Sequence, residues 1–253
     1  LLLRAENLSK SFGGVAAVQA VELGVERGTV HSIIGPNGAG KTTLLNLLSG
    51  IYRADAGQIF FGEEDVTSRA PHEFASAGIG RTFQNLQIFF NMSVLENVMA
   101  GRWLHEACGL AAALLRAPSL AHAERRARAE SEELLGFVGL ERWAHSPSDG
   151  LPYGALKRLE IARALAARPK LVLLDEPAAG LNPTETREID QLIRRIAERG
   201  ITVVLVEHNM KLVMEVSQRV LVLDHGRKLA EGDPETVSRD PQVIEAYLGV
   251  EAC

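Results

Sequence analysis

Cysteine is scarce. The chain of 253 residues holds two, Cys108 and Cys253, far apart and without a Cys-x-x-Cys pair. That excludes a disulfide framework and a cysteine-built zinc site, and it suits a reducing compartment. No apolar run reaches the ~18 residues that a membrane-crossing helix requires. The opening Leu1-Leu2-Leu3-Arg4 meets a charge at once, without the basic-then-apolar order of a secretion signal. A basic excess is also missing. Lys plus Arg number 27 against 32 Asp plus Glu, a net charge of −5, which excludes a dedicated nucleic-acid binder. There is no internal repeat, low-complexity tract or Ser/Gly-rich linker. The 23 glycines, 10 prolines and 46 % hydrophobic residues are ordinary for a globular protein and exclude collagen-like and disordered classes. At about 150 residues per domain, the length predicts one domain with a sizeable appendage.

What is present is an alternation of strand and helix patterns. Short strands are expected at Leu2–Leu8, Gln19–Val25 and Val30–Ile34, then at Gln58–Phe61 and Ile79–Phe83. Further strands are expected at Leu171–Leu174, Ile201–Val206 and Val220–Leu223. Lys41–Leu48 reads as a helix stopped by Gly50, and Pro71–Ala77 as a short one. Asn182, Pro183 and Glu185 form an N-cap, an N1 proline and an N3 acid. Ile189, Leu192, Ile193 and Ile196 follow at helical spacing, and Gly200 closes that helix. From Val94 to Leu140 alanine, leucine, arginine and glutamate dominate, with interruptions expected at Gly109 and Pro118, and helix resumes over Leu156–Ala167. The tail from Pro234 to Leu248 reads as two short helices. This order predicts a parallel α/β sheet with a helical insertion at about 94–167.

Gly35-Pro36-Asn37-Gly38-Ala39-Gly40-Lys41-Thr42 fits G-x-x-x-x-G-K-[ST] without a mismatch, between a strand and a helix. Glycines let the backbone wrap tightly, so that successive N–H groups point at phosphate oxygens. The following helix adds its free N–H groups and positive dipole end. Lys41 is expected to reach the β- and γ-phosphates, with its partner in the ligand; the Thr42 hydroxyl is expected to ligate Mg²⁺, and Thr43 to add a hydroxyl near the α-phosphate. A glycine-rich turn with a chance lysine is the plainer alternative, and the complete pattern in its required context weighs against it.

Leu171-Val172-Leu173-Leu174-Asp175-Glu176 is an apolar strand ending in two carboxylates. In parallel α/β sheets the C-terminal strand ends form the ligand crevice. Asp175 is expected to hold Mg²⁺ through water, and Glu176 to act as general base on the attacking water. Alone, such a pair is often only a helix start; behind a phosphate loop that reading weakens. Val203-Val204-Leu205-Val206-Glu207-His208 repeats the arrangement, and its end is expected beside the Asp175 strand. Gln84 follows a third apolar strand and is a candidate for contact with the metal or the water.

With these residues in hand, the chain resembles the ATP-binding cassette (ABC) ATPases over nearly its whole length. Leu151-Pro152-Tyr153-Gly154-Ala155, leading into Lys157–Leu165, is similar to the family's signature loop and helix. Phe12 matches the aromatic that stacks on adenine, Gln84 the Q-loop glutamine, Ala179–Asn182 the D-loop and His208 the switch histidine. The resemblance implies a P-loop NTPase core with a parallel sheet, an N-terminal antiparallel β subdomain and an inserted helical subdomain, together one ABC ATPase domain over 1–253. Finer features resemble the larger ATP-binding subunit of branched-chain amino acid importers: Gly80–Asn85, Ala178–Pro183, Glu207–Lys211, the long insertion near Gly101–Arg128, and the tail through Gly232, Pro234 and Leu248. A lipopolysaccharide-type exporter ATPase and a soluble ATP-driven clamp are the alternatives.

The resemblance further implies ATP and Mg²⁺ as ligands, and a second cassette, either a copy of this chain or a smaller paralogue. Tyr153 and Gly154 of one cassette would cover ATP held by the other. Membrane subunits would be the other partners, with no nucleic acid, at the cytoplasmic face of the inner membrane. The surface near Gln84–Asn97 would receive those subunits. Phe83, Phe89 and Phe90 lie in that stretch, and for Phe89 and Phe90 exposed contact and core packing are equally open. Arg116, Arg125, Arg126 and Arg128 read as a solvated helix face, with lipid-headgroup contact as the alternative. Two departures stand out: Asn182 takes the place of the D-loop acid, as is normal for the importer branch, and the signature loop is altered. Pro152 occupies the place of the signature serine, and Ala155 follows Gly154 where a polar residue is usual.

Overall fold

The computed structural model describes residues 1–102 and 118–248. Cys108, Gly109, Arg116 and Cys253 lie outside the described residues. The chain divides into two compact units, Leu1–Arg81 with Lys170–Cys253, and Thr82–Pro169. The second therefore begins before the change of composition at Val94.

In the first unit, β1 (Leu3–Phe12) and β2 (Val15–Val25) form an antiparallel hairpin that turns at Gly13-Gly14. With β4 (Ala56–Phe61) and β5 (Glu64–Asp65) they build a sheet of order β2-β1-β4-β5. A second sheet has β3 (Val30–Ile34), β6 (Ile79–Arg81), β7 (Leu171–Asp175), β8 (Thr202–Val206), β9 (Arg219–Asp224) and β10 (Arg227–Gly232), in the order β10-β9-β3-β8-β7-β6. Its pairs are parallel except β9–β10. Every residue of β3, β7 and β8 is buried, His31 and Ser32 of β3 included, as strands in a parallel sheet covered on both faces require.

Helix α1 (Lys41–Leu48) buries Leu44, Leu45, Leu47 and Leu48 in a core that both sheets line, with Leu3, Leu8, Val21, Ile59, Val204 and Leu221. Each leucine fully removed from water contributes roughly 1.5–3 kcal/mol. Helix α2 (Pro71–Ala77) adds Phe74 to the same core. Helix α6 (Pro183–Glu198) starts at the expected cap: Asn182 Oδ1 accepts the N–H groups of Thr184 at 2.9 Å and Glu185 at 3.0 Å. Helices α7 (Met210–Val216), α8 (Pro234–Ser238) and α9 (Pro241–Leu248) pack Val213, Val237 and Val243 against Ile34, Val220 and Val222.

The second unit holds α3 (Val94–Ala100), α4 (Pro118–Phe137) and α5 (Tyr153–Ala166). Along α4, Arg125, Arg126 and Arg128 are exposed. Arg126 pairs with Glu130 at 3.4 Å and Arg128 with Glu132 at 3.3 Å, the solvated face that the charge pattern predicts.

Several elements differ from the sequence expectation, the short edge strand β5 among them, which was not expected. The strand expected at Ile79–Phe83 stops at Arg81, and the Phe83 N–H turns to Glu160 Oε1 at 3.1 Å. Helix α5 begins at Tyr153 rather than Leu156, since Pro152 at ψ 152° is already its N-cap. Strand β10 was not expected, because Arg227-Lys228-Leu229-Ala230-Glu231-Gly232 has the charged composition of an edge strand. Helix α7 was not expected either, being too short for its period to register, and Asn209 Oδ1 caps it at Leu212.

Candidate nucleotide site

The loop Gly35–Gly40 leaves the end of β3, the inner strand of the parallel sheet. A Cβ built on Gly35 would lie 2.1 Å from the Leu223 carbonyl oxygen, and one on Gly40 2.3 Å from that of Ala17. Both positions also carry positive φ, 150° and 98°. The backbone is thus pressed between β9 and β2 in a way that only glycine permits. No side chain caps α1 and its first turn holds no acid, so its dipole end is left for an anion.

Lys41 Nζ donates to the carbonyls of Gly35 at 2.7 Å and Pro36 at 2.9 Å. This corrects the expectation that its partner lies only in the ligand: the ammonium also braces the loop. Burial pulls its pKa below the usual lysine range, while the Glu176 and Asp175 carboxylates pull it back up.

Asp175 ends β7 and is 1 % exposed. Its Oδ2 accepts from Arg81 at 3.3 Å, and the same guanidinium donates to Ser49 Oγ at 2.6 Å and the Leu45 carbonyl at 3.3 Å. Arg81 therefore ties the carboxylate to the far end of α1. In the sequence Arg81 stands out only as part of Gly80–Asn85, because its tie to Asp175 and Ser49 spans 94 and 32 residues. Glu176 stands at φ 48°, left-handed for a residue with a Cβ. Such a conformation costs of order 1–3 kcal/mol and concentrates at functional sites. Its N–H donates to the Val206 carbonyl at 2.9 Å.

Strand β8 lies between β3 and β7, with Val206 paired to both Ile33 and Asp175. Glu207 and His208 follow it. Three neighbouring strands thus bring the phosphate loop, the acidic pair and the histidine to one edge of one sheet. The His208 side chain is 61 % exposed, whereas that of Glu207 is fully buried. Phe12, at the end of β1, is exposed, meets the Tyr52 ring edge-on at 5.2 Å and has Lys10 Nζ 5.5 Å from its centroid.

Gln84, Tyr153 and Gly154 belong to the second unit. Gln84 is exposed and its carbonyl accepts from Lys157 Nζ at 3.4 Å. Tyr153 and buried Gly154 open α5, whose N-cap Pro152 offers no side-chain hydrogen bond. Phe83, Phe89 and Phe90 are 39 %, 46 % and 50 % exposed, which decides for the surface reading over core packing. Fully buried Asn97 presents that loop: its Oδ1 accepts the Phe89 N–H at 2.9 Å and its Nδ2 donates to the Phe89 carbonyl at 3.0 Å.

Thr42 and Asp175 could offer a cation a hydroxyl and a carboxylate, both hard oxygen groups. Among the described residues no three His, Cys, Asp or Glu side chains gather as a metal cage. A site with few protein oxygens, completed by phosphates and water, fits Mg²⁺.

Residues 18–179 match the family model described as "ABC transporter". The chain belongs to the ABC transporter family. It is therefore an ATP-hydrolysing cassette with an α/β P-loop fold. A second family model, "Branched-chain amino acid ATP-binding cassette transporter", matches residues 227–253. The cassette is 42 % identical over 249 residues to the high-affinity branched-chain amino acid transport ATP-binding protein BraF of Pseudomonas aeruginosa, covering 98 % of each chain. It is also similar to the solved ADP conformation of MJ1267, an ATP-binding cassette of an ABC transporter, at 34 % identity, TM-score 0.85 and 98 % coverage of both chains. The dimeric post-hydrolysis cassette MJ0796, bound to ADP and Pi, is 26 % identical with a TM-score of 0.78, over 92 % of this chain and 98 % of that one. Among the described residues no helix is long and apolar enough to cross a membrane.

Proposed function

We propose that this cassette powers the import of branched-chain amino acids, working as one of two cassettes beneath membrane subunits at the cytoplasmic face of the inner membrane. The observation that carries the ATPase reading is the meeting of the phosphate loop, Asp175-Glu176 and His208 at three adjacent strand ends. The importer branch rests on the match of residues 227–253 and on the 42 % identity to BraF. That match favours an importer over a lipopolysaccharide-type exporter. The net charge of −5 weighs against a clamp on nucleic acid.

In this reading the N–H groups of Gly35, Pro36-Asn37-Gly38-Ala39-Gly40 (proline excepted) and α1 hold the phosphates. Lys41 reaches the β- and γ-phosphates, Thr43 lies near the α-phosphate, and Phe12 stacks on adenine. Thr42 and Asp175, with Gln84, would hold Mg²⁺, which neutralises phosphate charge. Glu176 accepts the proton of the attacking water as its oxygen bonds to the γ-phosphorus and the ADP oxygen departs. His208 steadies the γ-phosphate. Tyr153 and Gly154 of the opposite cassette, itself a copy or a smaller paralogue, close over the same nucleotide. Phe83, Phe89 and Phe90 face the membrane subunits.

Uptake of radiolabelled leucine, isoleucine and valine at low concentration tests the proposal. Cells of the source organism lacking this chain should lose uptake, and the wild-type chain should restore it. Undiminished uptake in the deletion would exclude the proposed cargo.

Pro152 gives a separate expectation. It caps α5 without a side-chain donor, where a serine hydroxyl would reach the γ-phosphate across the dimer. A hydrogen bond to a charged acceptor contributes ~1.5–3 kcal/mol, so in a Glu176→Gln background Pro152→Ser should tighten ATP-dependent dimerisation about ten- to a hundredfold. Sedimentation with Mg-ATP measures this. Unchanged or weaker dimerisation would mean that the preset proline backbone outweighs the missing hydroxyl.

A further inference from the structure

Glu207 is fully buried and sits beside the candidate site, yet nothing above gives it a part in the chemistry. Its two oxygens are divided between the ends of two strands. Oε1 accepts the Ala178 N–H at 2.9 Å, and Oε2 accepts those of His208 at 3.2 Å and Asn209 at 3.4 Å. Ala178 belongs to the turn that begins at Glu176, where the Ala179 N–H returns to the Glu176 carbonyl at 3.1 Å. That turn starts from the left-handed Glu176, whose own N–H is anchored on β8. The His208 and Asn209 amides lead into α7, which Asn209 caps. One carboxylate therefore clasps the segment carrying the acidic pair to the segment carrying the histidine. An apolar side chain would fill the same space and leave the Ala178 N–H without its acceptor.

From this arrangement we propose that Glu207 is a positioning residue for hydrolysis: it holds the Glu176 turn and His208 in mutual register without touching ATP. The inference rests on the roles given above to Glu176 and His208. A carboxylate suits the task because the Ala178, His208 and Asn209 amides are all donors. An amide in its place must turn its NH₂ toward either Ala178 or the His208–Asn209 pair, and one side of the clasp opens. Loss of register by a fraction of an ångström to 1 Å lowers turnover by about ten- to a hundredfold. The phosphate loop is built on β3 and α1, so nucleotide affinity should stay.

The test compares the full chain with Glu207→Gln and Glu207→Asp. The aspartate keeps a carboxylate for its own following amides but is one methylene too short for Ala178. The readouts are Mg-ATP affinity and stoichiometry by titration, hydrolysis rate at saturating ATP per bound nucleotide, and amide exchange at Ala178. Expected for both variants are unchanged stoichiometry, affinity within about twofold, faster Ala178 exchange, and a rate per bound nucleotide lowered about tenfold or more. Faster exchange with a rate within about twofold of wild type would show that the clasp is structural only, and would overturn the proposal. So would affinity and rate falling together in both variants, since that is general damage to the site. Glu176→Gln, measured alongside, separates the two readings: if it retains turnover, the assignment of the base has failed rather than that of the clasp.

Discussion

Glu176→Gln is expected to retain ATP and lose turnover by ~100-fold or more, the usual contribution of a general base. The left-handed turn at Glu176 is held by bonds of its backbone and of Ala178, none of which uses the Glu176 carboxylate. Glutamine, equal in size, should therefore sit in the same turn without the ability to take a proton. Binding should persist, since the bonds with which Lys41 braces the phosphate loop run to the Gly35 and Pro36 carbonyls, and glutamine leaves them in place. The variant should accumulate as an ATP-bound dimer. Steady-state hydrolysis and sedimentation with Mg-ATP measure both effects. A variant that retains more than about a tenth of the wild-type rate would remove Glu176 from the role of principal base.

Lys41→Ala should lower ATP affinity about ten- to a hundredfold, the worth of a hydrogen bond to a charged group at ~1.5–3 kcal/mol. The two carbonyl contacts of Lys41 add a second, smaller effect. Without the ammonium, the loop between Gly35 and Gly40 loses a brace, and the free protein should melt slightly lower, by roughly 2–4 °C per kcal/mol lost. Thermal melts with and without Mg-ATP separate the two. The account expects a small shift in the free protein and near-complete loss of the ATP-dependent rise. A large drop in the free protein with the ATP-dependent rise intact would make Lys41 a structural residue only.

The legibility of the sequence follows from the physics of each element. Buried parallel strands such as Leu171–Leu174 and Val203–Val206 are continuous apolar runs, and polar residues that end such runs mark the crevice directly. The helix from Pro183 announces its start through Asn182 and Glu185. Elements whose stability is tertiary leave weaker marks. Strand β10 exists because β9 offers it an edge, and α7 because Asn209 caps it. In the site, residues that meet phosphate follow a spaced motif, whereas Arg81 and Glu207 act through partners at or just past the end of another strand, Asp175 and Ala178, and Asn97 through the loop at Phe89. Their partners become visible when strand order is known. The exposed Phe89 and Phe90 belong to the same class: their composition suits a core, and bonds from Asn97 and Ser148 to Phe89 hold the loop at the surface.

In the proposed working state two cassettes share ATP between the phosphate loop of one and Tyr153-Gly154 of the other. A crystal structure of the Glu176→Gln chain with Mg-ATP tests it most directly. A head-to-tail dimer is expected, with the phosphates on Gly35–Thr43, Mg²⁺ against Thr42 and Asp175, and Tyr153-Gly154 of the second molecule over the γ-phosphate. ATP bound away from that loop, or held by a cassette whose Tyr153-Gly154 covers no neighbour's nucleotide, would contradict it.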